Sequence, residues 1–302
     1  MKNIQFKVII IGLILVAIII ATSIWLFSKI PVEPIKPITL QTNNQTNKKQ
    51  ELAVLKQIFK DGVIIPQEET GQYKIESDDK IEYSVVDESL IKEKSVSIKL
   101  IDVDLDQDGE DEIVALTSLI FLGDACTSCR ARLYIDVLDI EKDEYFIKNE
   151  QEFKAFNSEL FNSDITIEKI QLIDINNDGL KEIQITFNAD SYFGFDKTKV
   201  AILEWRNDQF RIIWQQVTYF NMDNYGALPE EDKQNYDATF RFEASDSEYP
   251  NIIVDKTILK DKGIELSPPR KEQLIYKWDT QKQEYYLYKE EKIGEEKLEP
   301  LR

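Results

Sequence analysis

The sequence predicts an all-β body that follows an N-terminal transmembrane helix and a short amphipathic helix. Three observations support this prediction. The N-terminus contains a long uncharged apolar run, and most segments after residue 70 alternate or cluster β-branched and aromatic residues. In addition, landmark residues recur at a spacing of 70 positions. Because a fixed period is typical of repeat architectures, we expect the body to consist of three consecutive β units.

The first 30 residues are interpreted as a cytoplasmic tip and a membrane anchor. Between Lys7 and Lys29 lie 21 residues without charge, most of them Ile, Leu, Val or Ala. As a helix this run spans roughly 30 Å, the thickness of a bilayer core. Lys2 and Lys7 precede it, so the positive-inside tendency places the N-terminus in the cytoplasm and the body outside, in a periplasmic or extracellular location. A cleaved signal peptide is the alternative, but the apolar run exceeds the usual length of its apolar core.

Residues 31–48 are predicted to be a stalk, and residues 49–302 the extracytoplasmic domain. The stalk combines three prolines with a Thr/Asn/Gln tract that cannot form a core. Residues 49–60 carry apolar side chains at helical spacing, and Asp61-Gly62 ends the run. We expect a short amphipathic helix here that packs on the β body. A further helix is possible in residues 150–162.

The repeat is defined by three isoleucines, Ile113, Ile183 and Ile253, which stand 70 residues apart. A second landmark, a turn followed by an aromatic strand, comes 22–25 residues after each of them. Two landmarks that keep their order three times favour a real repeat over coincidence. Each unit is therefore expected to contain a sharp turn, two or more strands and a polar-tipped hairpin.

Two acidic loops precede the first two isoleucines, and both fit the pattern D-x-[DN]-x-D-G-x-x-E. Calcium takes six to eight oxygen ligands, and the glycine permits the sharp turn that lets alternate side chains converge on one ion. We expect backbone carbonyl ligands from position seven and carboxylate or amide ligands from the other positions. The candidate calcium ligands are Asp104, Asp106, Asp108, Glu110 (carbonyl) and Glu112 in the first loop and Asp174, Asn176, Asp178, Leu180 (carbonyl) and Glu182 in the second.

The loops begin like an EF-hand but end differently. The twelfth position is Ala115 in one and Ile185 in the other, and strand patterns follow instead of a helix. This strand–loop–strand pattern resembles the FG-GAP and VCBS repeats of integrin α-chain propellers and bacterial surface proteins. The resemblance covers roughly residues 97–290 and implies a body of β-propeller-like blades. Three units are fewer than the four to eight blades of a typical propeller.

The first loop is expected to bind calcium more tightly than the second, and the third unit is expected to hold no ion. The first loop offers four carboxylates, whereas the second offers three and an amide. The third unit has only Asp246, Glu248 and Asn251 in the corresponding segment, and no glycine. The alternative interpretation of all these segments is a set of solvated acidic turns, because Asp and Gly form turns without any ion. If calcium binds, a structural role is expected rather than a catalytic one.

Cys126 and Cys129 form a C-T-S-C motif inside the first unit. In an oxidising compartment a disulfide is the expected state of such a pair. A thioredoxin-like centre would need a strand-to-helix context that the flanking sequence lacks, and a zinc site would need four ligands. The body's predicted location therefore favours a Cys126–Cys129 disulfide.

Composition narrows the possible functions. The chain has 37 basic and 56 acidic residues and no histidine, with a net charge of −19. That charge argues against a nucleic-acid partner, and the absence of histidine removes the usual acid–base and zinc chemistry. The leading hypothesis is a calcium-binding surface module for interaction or adhesion, with a protein or glycan partner at the cell surface. The alternatives are an extracytoplasmic hydrolase with acidic groups on the repeat loops, and a structural subunit of an envelope complex.

Overall fold

A computed structural model describes residues 48–60, 62–67, 72–76, 93–122, 132–141, 144–152, 163–191, 196–223 and 233–293. Contacts divide the chain into two units, 1–35 and 36–302, and all of the described residues belong to the second. The predicted anchor, most of the stalk, and Cys126 and Cys129 lie outside the described residues. Within the described ranges, no helix has the length and apolar character that a membrane crossing requires.

The described chain contains one helix and fourteen strands. The helix is α1 (Lys48–Ile58). The first six strands are β1 (Val63–Pro66), β2 (Tyr73–Glu76), β3 (Glu93–Val103), β4 (Glu112–Leu122), β5 (Arg132–Glu141) and β6 (Glu144–Glu152). The other eight are β7 (Ser163–Ile173), β8 (Glu182–Ser191), β9 (Asp196–Arg206), β10 (Gln209–Asn221), β11 (Asn235–Glu243), β12 (Asn251–Asp261), β13 (Ile264–Asp279) and β14 (Glu284–Ile293).

The strands form two antiparallel sheets in which every strand pairs with its neighbours in sequence. One sheet has six strands in the order β1 to β6, and the other has eight in the order β7 to β14. The prediction of an all-β body with one short amphipathic helix is therefore confirmed. Both described sheets are open, and no closed propeller is present among these strands.

The helix forms because its apolar residues fall on one face. Val54, Leu55 and Ile58 are buried and join a cluster with side chains of β2 to β4, such as Ile75 and Ile98. Glu51 in the first turn and Lys56 in the last turn complement the helix dipole. Burying this face against the sheet stabilises a helix that would be marginal alone at this length.

The two sheets share a core that lies between β3–β5 and β7–β10. Val114, Leu133 and Ile135 of the first sheet join Ile183, Phe187 and others of the second in one buried cluster. Because consecutive strand residues point to opposite faces, the alternate positions of β7–β10 face the other way. There Val200, Ile202 and Trp214 pack against Ile252, Val254 and Trp278 of β12 and β13. Strand β9 is thus buried on both faces.

The eight-stranded sheet is weakly joined at its centre. Strands β10 and β11 pair through three residue pairs only, Tyr219 with Asp237, Phe220 with Tyr236 and Asn221 with Asn235. The neighbouring pairs in this sheet extend over most of the length of their strands. Because the junction is short, β11–β14 fold back and pack on the face of β7–β10 that carries Val200, Ile202 and Trp214.

Two local expectations are corrected by the fold. The sequence Tyr219-Phe220-Asn221-Met222 looks like a loop, but residues 219–221 belong to β10, where the Phe220 ring contacts the Tyr236 ring across the short β10–β11 junction. The possible helix at 150–162 is wrong for residues 150–152, which end β6, and its remainder lies outside the described residues. In both segments strand pairing outweighs local propensity.

Candidate functional site

Each of the two acidic loops connects two strands that pair directly with each other. The first connects β3 to β4, and the second connects β7 to β8. Ile113 and Ile183 follow the loops as the second residues of β4 and β8, and Ile253 lies at the start of β12. Each loop therefore joins two paired strands at one end of a β hairpin.

The first aspartate of each loop bonds the glycine of its own turn. Asp104 Oδ2 accepts a hydrogen bond from the Gly109 amide at 3.1 Å. In the second loop Asp174 Oδ2 accepts the same bond from Gly179 at 3.2 Å. This five-residue link closes each loop into a compact turn.

The middle positions are also alike in the two loops. Asp106 Oδ1 accepts from the Asp108 amide at 3.3 Å, and Asn176 Oδ1 accepts from the Asp178 amide at 3.2 Å. Asp108 Oδ1 and Asp178 Oδ1 each accept from an amide two residues later, at 2.8 Å in both cases. Those amides belong to the two residues expected to donate carbonyl ligands, Glu110 and Leu180. Their role as carbonyl ligands stays a prediction.

The glutamates at position nine are buried beneath the loops. Glu112 Oε2 accepts from the Leu105 amide and Glu182 Oε2 from the Ile175 amide, both at 2.9 Å. Glu112 is 4 % exposed and Glu182 is 2 % exposed. Each buried carboxylate therefore stabilises its loop by accepting a hydrogen bond from a backbone amide of that loop.

Positive φ values make these turns possible. Gly109 has φ 92° and Gly179 has φ 94°, in the left-handed region that side chains rarely adopt. Gln107 and Asn177 also have positive φ, 62° and 59°. The positive φ at position six thus explains why both loops have glycine there.

Both loops leave one carboxylate oxygen without a partner. Asp104 Oδ1 and Asp174 Oδ1 are buried and accept no hydrogen bond. In the first loop, one oxygen each from Asp104, Asp106 and Asp108 lies within 4.8 Å of the others, a separation that a single metal ion can bridge. In the second loop the place of the middle aspartate is taken by Asn176, whose amide donates to Asp178 Oδ2 at 2.8 Å. The donor set is all oxygen, which suits calcium.

A lysine contacts the carboxylates of each loop. Lys148 of β6 donates to Glu112 Oε1 at 2.8 Å and to Asp106 Oδ2 at 3.3 Å. Its hydrogen bond to Glu112 raises the pKa of the Lys148 ammonium above its usual range, partly opposed by desolvation. In the second loop Lys181 donates to Asp174 Oδ2 at 3.3 Å.

Glu182 has no such lysine among its described contacts. Burial raises the pKa of Glu182 to about 8, although backbone amides that bond the carboxylate oppose the rise. The nearby carboxylates of Asp178 and Glu204 add a smaller increase. A buried carboxyl group with this pKa is a position where a bound cation would offset the cost of ionisation.

A cavity of about 300 Å³ lies between the two loops and the β9–β10 turn. Its wall contains Leu105 and Asp106 of the first loop, residues 178 and 180–182 of the second, and residues 204–208. The loops also touch directly, because Gln107 Nε2 donates to the Asp178 carbonyl at 3.4 Å.

Glu204 in the cavity wall is held by two donors on a single oxygen. Oε1 accepts from the Tyr249 hydroxyl at 2.6 Å and from Arg206 Nη2 at 2.9 Å. Oε2 is buried and accepts no hydrogen bond. The turn beside it, Asn207-Asp208, has φ values of 53° and 58°, as a type I′ hairpin requires. Asn149 of β6 fixes this turn by donating to the Asp208 carbonyl at 2.6 Å.

In the third unit, the segment before β12 takes the place of an acidic loop, and it is held together without clustered carboxylates. Ser245 Oγ and Ser247 Oγ donate to the Tyr249 carbonyl at 2.6 and 2.5 Å. Tyr249 is 1 % exposed, and its ring stacks on Trp278 with centroids 3.8 Å apart. Hydroxyl groups and a buried ring therefore organise this turn, where the first two loops use acids and a glycine.

Sequence reasoning missed Lys148, Glu204 and Tyr249. Lys148 is 36 residues from Glu112, and Tyr249 is 45 residues from Glu204. Their side chains reach the site from other strands, so no local spacing could reveal them. The predicted calcium ligands, in contrast, come from two continuous segments that the structure places side by side.

Comparison with known proteins identifies no relative. No protein-family model, no curated protein and no solved structure matches this chain.

Proposed function

We propose that this chain is a membrane-anchored, extracytoplasmic binding module whose β body is stabilised by calcium in two loops. The proposal depends on the first aspartate of each loop. Its Oδ1 atom is buried and accepts no hydrogen bond, while its Oδ2 atom accepts the same bond from the loop glycine in both loops. A buried carboxylate oxygen without a partner is costly, and a bound cation is the partner that this donor set suits best.

The resemblance to FG-GAP and VCBS repeats remains part of the proposal. It is supported by the order of the strands, because β3–β6, β7–β10 and β11–β14 are successive groups of four antiparallel strands. The three isoleucines lie at the start of the second strand in each group. We infer three related units, of which the first two hold an ion and the third is stabilised by Tyr249.

A binding role is favoured by exposed aromatic and apolar side chains on β14. Tyr286, Leu287 and Tyr288 are 41 %, 48 % and 54 % exposed on this strand at the end of the sheet. Such side chains provide contact area for a protein or glycan. The hydrolase alternative is less well supported, because Glu204 already accepts two hydrogen bonds on one oxygen.

Calcium titration of the full chain in detergent, by calorimetry and thermal melting, tests the proposal. We expect two sites and a raised melting temperature, since a ligand at 100 times its Kd stabilises a protein by about 2.7 kcal/mol. Asp104→Asn and Asp174→Asn should each remove one site, because the amide retains an acceptor for the glycine but loses the charge. Asp237→Asn, an exposed position on β11, is the matched control. Absence of binding at millimolar calcium would refute the proposal that the two loops bind calcium.

A further inference from the structure

We propose that each calcium loop holds the next unit of the repeat in place. Calcium in the first loop then secures the second unit, and calcium in the second loop secures the third. The three units are the groups of strands β3–β6, β7–β10 and β11–β14. The inference rests on the proposed binding of calcium, and it adds a regulatory role in which the ion controls the docking of neighbouring units.

The second residue of each loop enters the apolar cluster that its unit shares with the next one. Leu105 is 3 % exposed and belongs to the cluster that contains Phe210 of the second unit. Ile175 is 1 % exposed and belongs to a different cluster, with Tyr249 and Trp278 of the third unit. Each of these side chains therefore comes from a loop of one unit and packs in the interface with the following unit.

The same two residues are bonded to predicted calcium ligands. The Leu105 amide donates to Glu112 Oε2 and the Ile175 amide donates to Glu182 Oε2, both at 2.9 Å. An ion that fixes one of these glutamates therefore also restrains the backbone from which the buried side chain projects. One hydrogen bond and one apolar side chain thus connect each ion position to the next unit.

The units depend on such side-chain contacts because strand pairing joins them weakly. The first and second units lie in different sheets, and the second and third are joined by three residue pairs between β10 and β11. Other contacts between units use side chains. Gln151 donates to the Phe210 carbonyl at 2.8 Å, and the Tyr249 hydroxyl donates to Glu204 at 2.6 Å. An interface of this kind can open while the sheets themselves stay folded.

The third unit has neither the ligands nor the apolar residue. Ser245 stands at the position that corresponds to Leu105 and Ile175. Its hydroxyl donates to the Tyr249 carbonyl at 2.6 Å, so a hydrogen bond within the turn replaces an apolar contact with another unit. The apolar second residue therefore occurs together with the acidic ligand set in two units and is absent together with it in the third. This joint occurrence is expected if the two features act together.

Hydrogen exchange of the full chain in detergent, followed by mass spectrometry in EGTA and in millimolar calcium, tests the proposal. The third unit is informative because it contributes no predicted calcium ligand. We expect calcium to slow exchange in β12 and β13 about tenfold, the effect of a ligand at roughly ten times its Kd. Asp174→Asn should reduce this slowing to less than twofold. Asp104→Asn, the corresponding change in the first loop, is the matched control and should leave the slowing in the third unit intact.

A second pair of variants leaves all the ligands in place. Ile175→Val shortens the buried side chain that packs against the third unit. We expect calorimetry to show both calcium sites in this variant, whereas calcium should slow exchange in β12 and β13 by no more than threefold. Leu105→Val, the corresponding change in the first loop, should retain the tenfold slowing there, because Leu105 belongs to the other cluster.

Equal slowing of the third unit in Asp104→Asn and Asp174→Asn would overturn the proposal, since it would indicate general stabilisation by calcium. A full tenfold slowing in Ile175→Val would also overturn it, because the side chain would then not transmit the effect. Calorimetry on the same samples measures calcium binding separately. Two sites without loop-specific slowing would refute this inference alone, and absence of binding would refute the calcium loops and this inference with them.

Discussion

Lys148 bonds two carboxylates that a calcium ion in the first loop is also expected to use, Glu112 and Asp106. Replacing it by methionine leaves the buried Glu112 without its counter-ion. In EGTA we expect Lys148→Met to lower the free energy of unfolding by about 1–2 kcal/mol. In calcium we expect a larger rise in melting temperature than in the unchanged protein, because the ion no longer competes with the ammonium group. Lys99→Met on β3 is the control, and a reduced calcium response would contradict this view of Lys148.

The two loop glycines should respond differently to alanine. Both have positive φ, so alanine is strained at either position, at a cost of roughly 1–2 kcal/mol. A Cβ at Gly109 meets no atom within 4 Å, whereas one at Gly179 lies 3.1 Å from Gln107 Nε2. Gly179→Ala should therefore be the more destabilising in urea unfolding. Adding Gln107→Ala should remove most of the difference, and an unchanged difference would show that the contact between the loops is unimportant.

At the scale of elements, an ion pair near the β12–β13 turn makes stability depend on pH. Arg270 donates to Asp261 Oδ2 at 2.8 Å and holds the pKa of that carboxyl below its usual value of 3.8. A lowered pKa in the folded state stabilises the protein above the unfolded pKa. That contribution is lost as the pH falls through the folded pKa.

We therefore expect the free energy of unfolding to fall as the pH drops below about 4. Asp261→Asn should reduce this dependence and should lower stability mainly at neutral pH. Urea unfolding between about pH 2 and pH 6 measures the effect. Asp237→Asn is the control, because this exposed strand residue has no ion pair among the described contacts. An identical pH profile for Asp261→Asn would exclude the Arg270 pair as its source.

On the scale of the whole molecule, charge repulsion should limit stability. The net charge of −19 disfavours any compact state, and salt screens that repulsion within about 10 Å at 0.1 M. We expect the melting temperature in EGTA to rise with sodium chloride. Calcium chloride at the same ionic strength should raise it further, because specific binding adds to screening. Equal effects of the two salts would indicate screening alone.

The sequence alone determined the β character of the body, the amphipathic helix and the two acidic loops. These features depend on residues that are close in sequence. They are the alternation of side chains along a strand, the helical spacing of apolar residues in α1, and the positive φ that requires glycine at positions 109 and 179. The sequence also predicted the loop positions relative to their strands correctly, since each loop joins two adjacent strands.

Tertiary packing determines which distant side chains complete the site. Packing of the sheets brings the two loops into contact through Gln107 and Asp178, which are 71 residues apart. It also places Lys148 on Glu112 and Tyr249 on Glu204. These contacts arise from the way strand faces are buried against one another, a long-range effect that local spacing does not encode. The cavity between the two loops and the β9–β10 turn exists for the same reason.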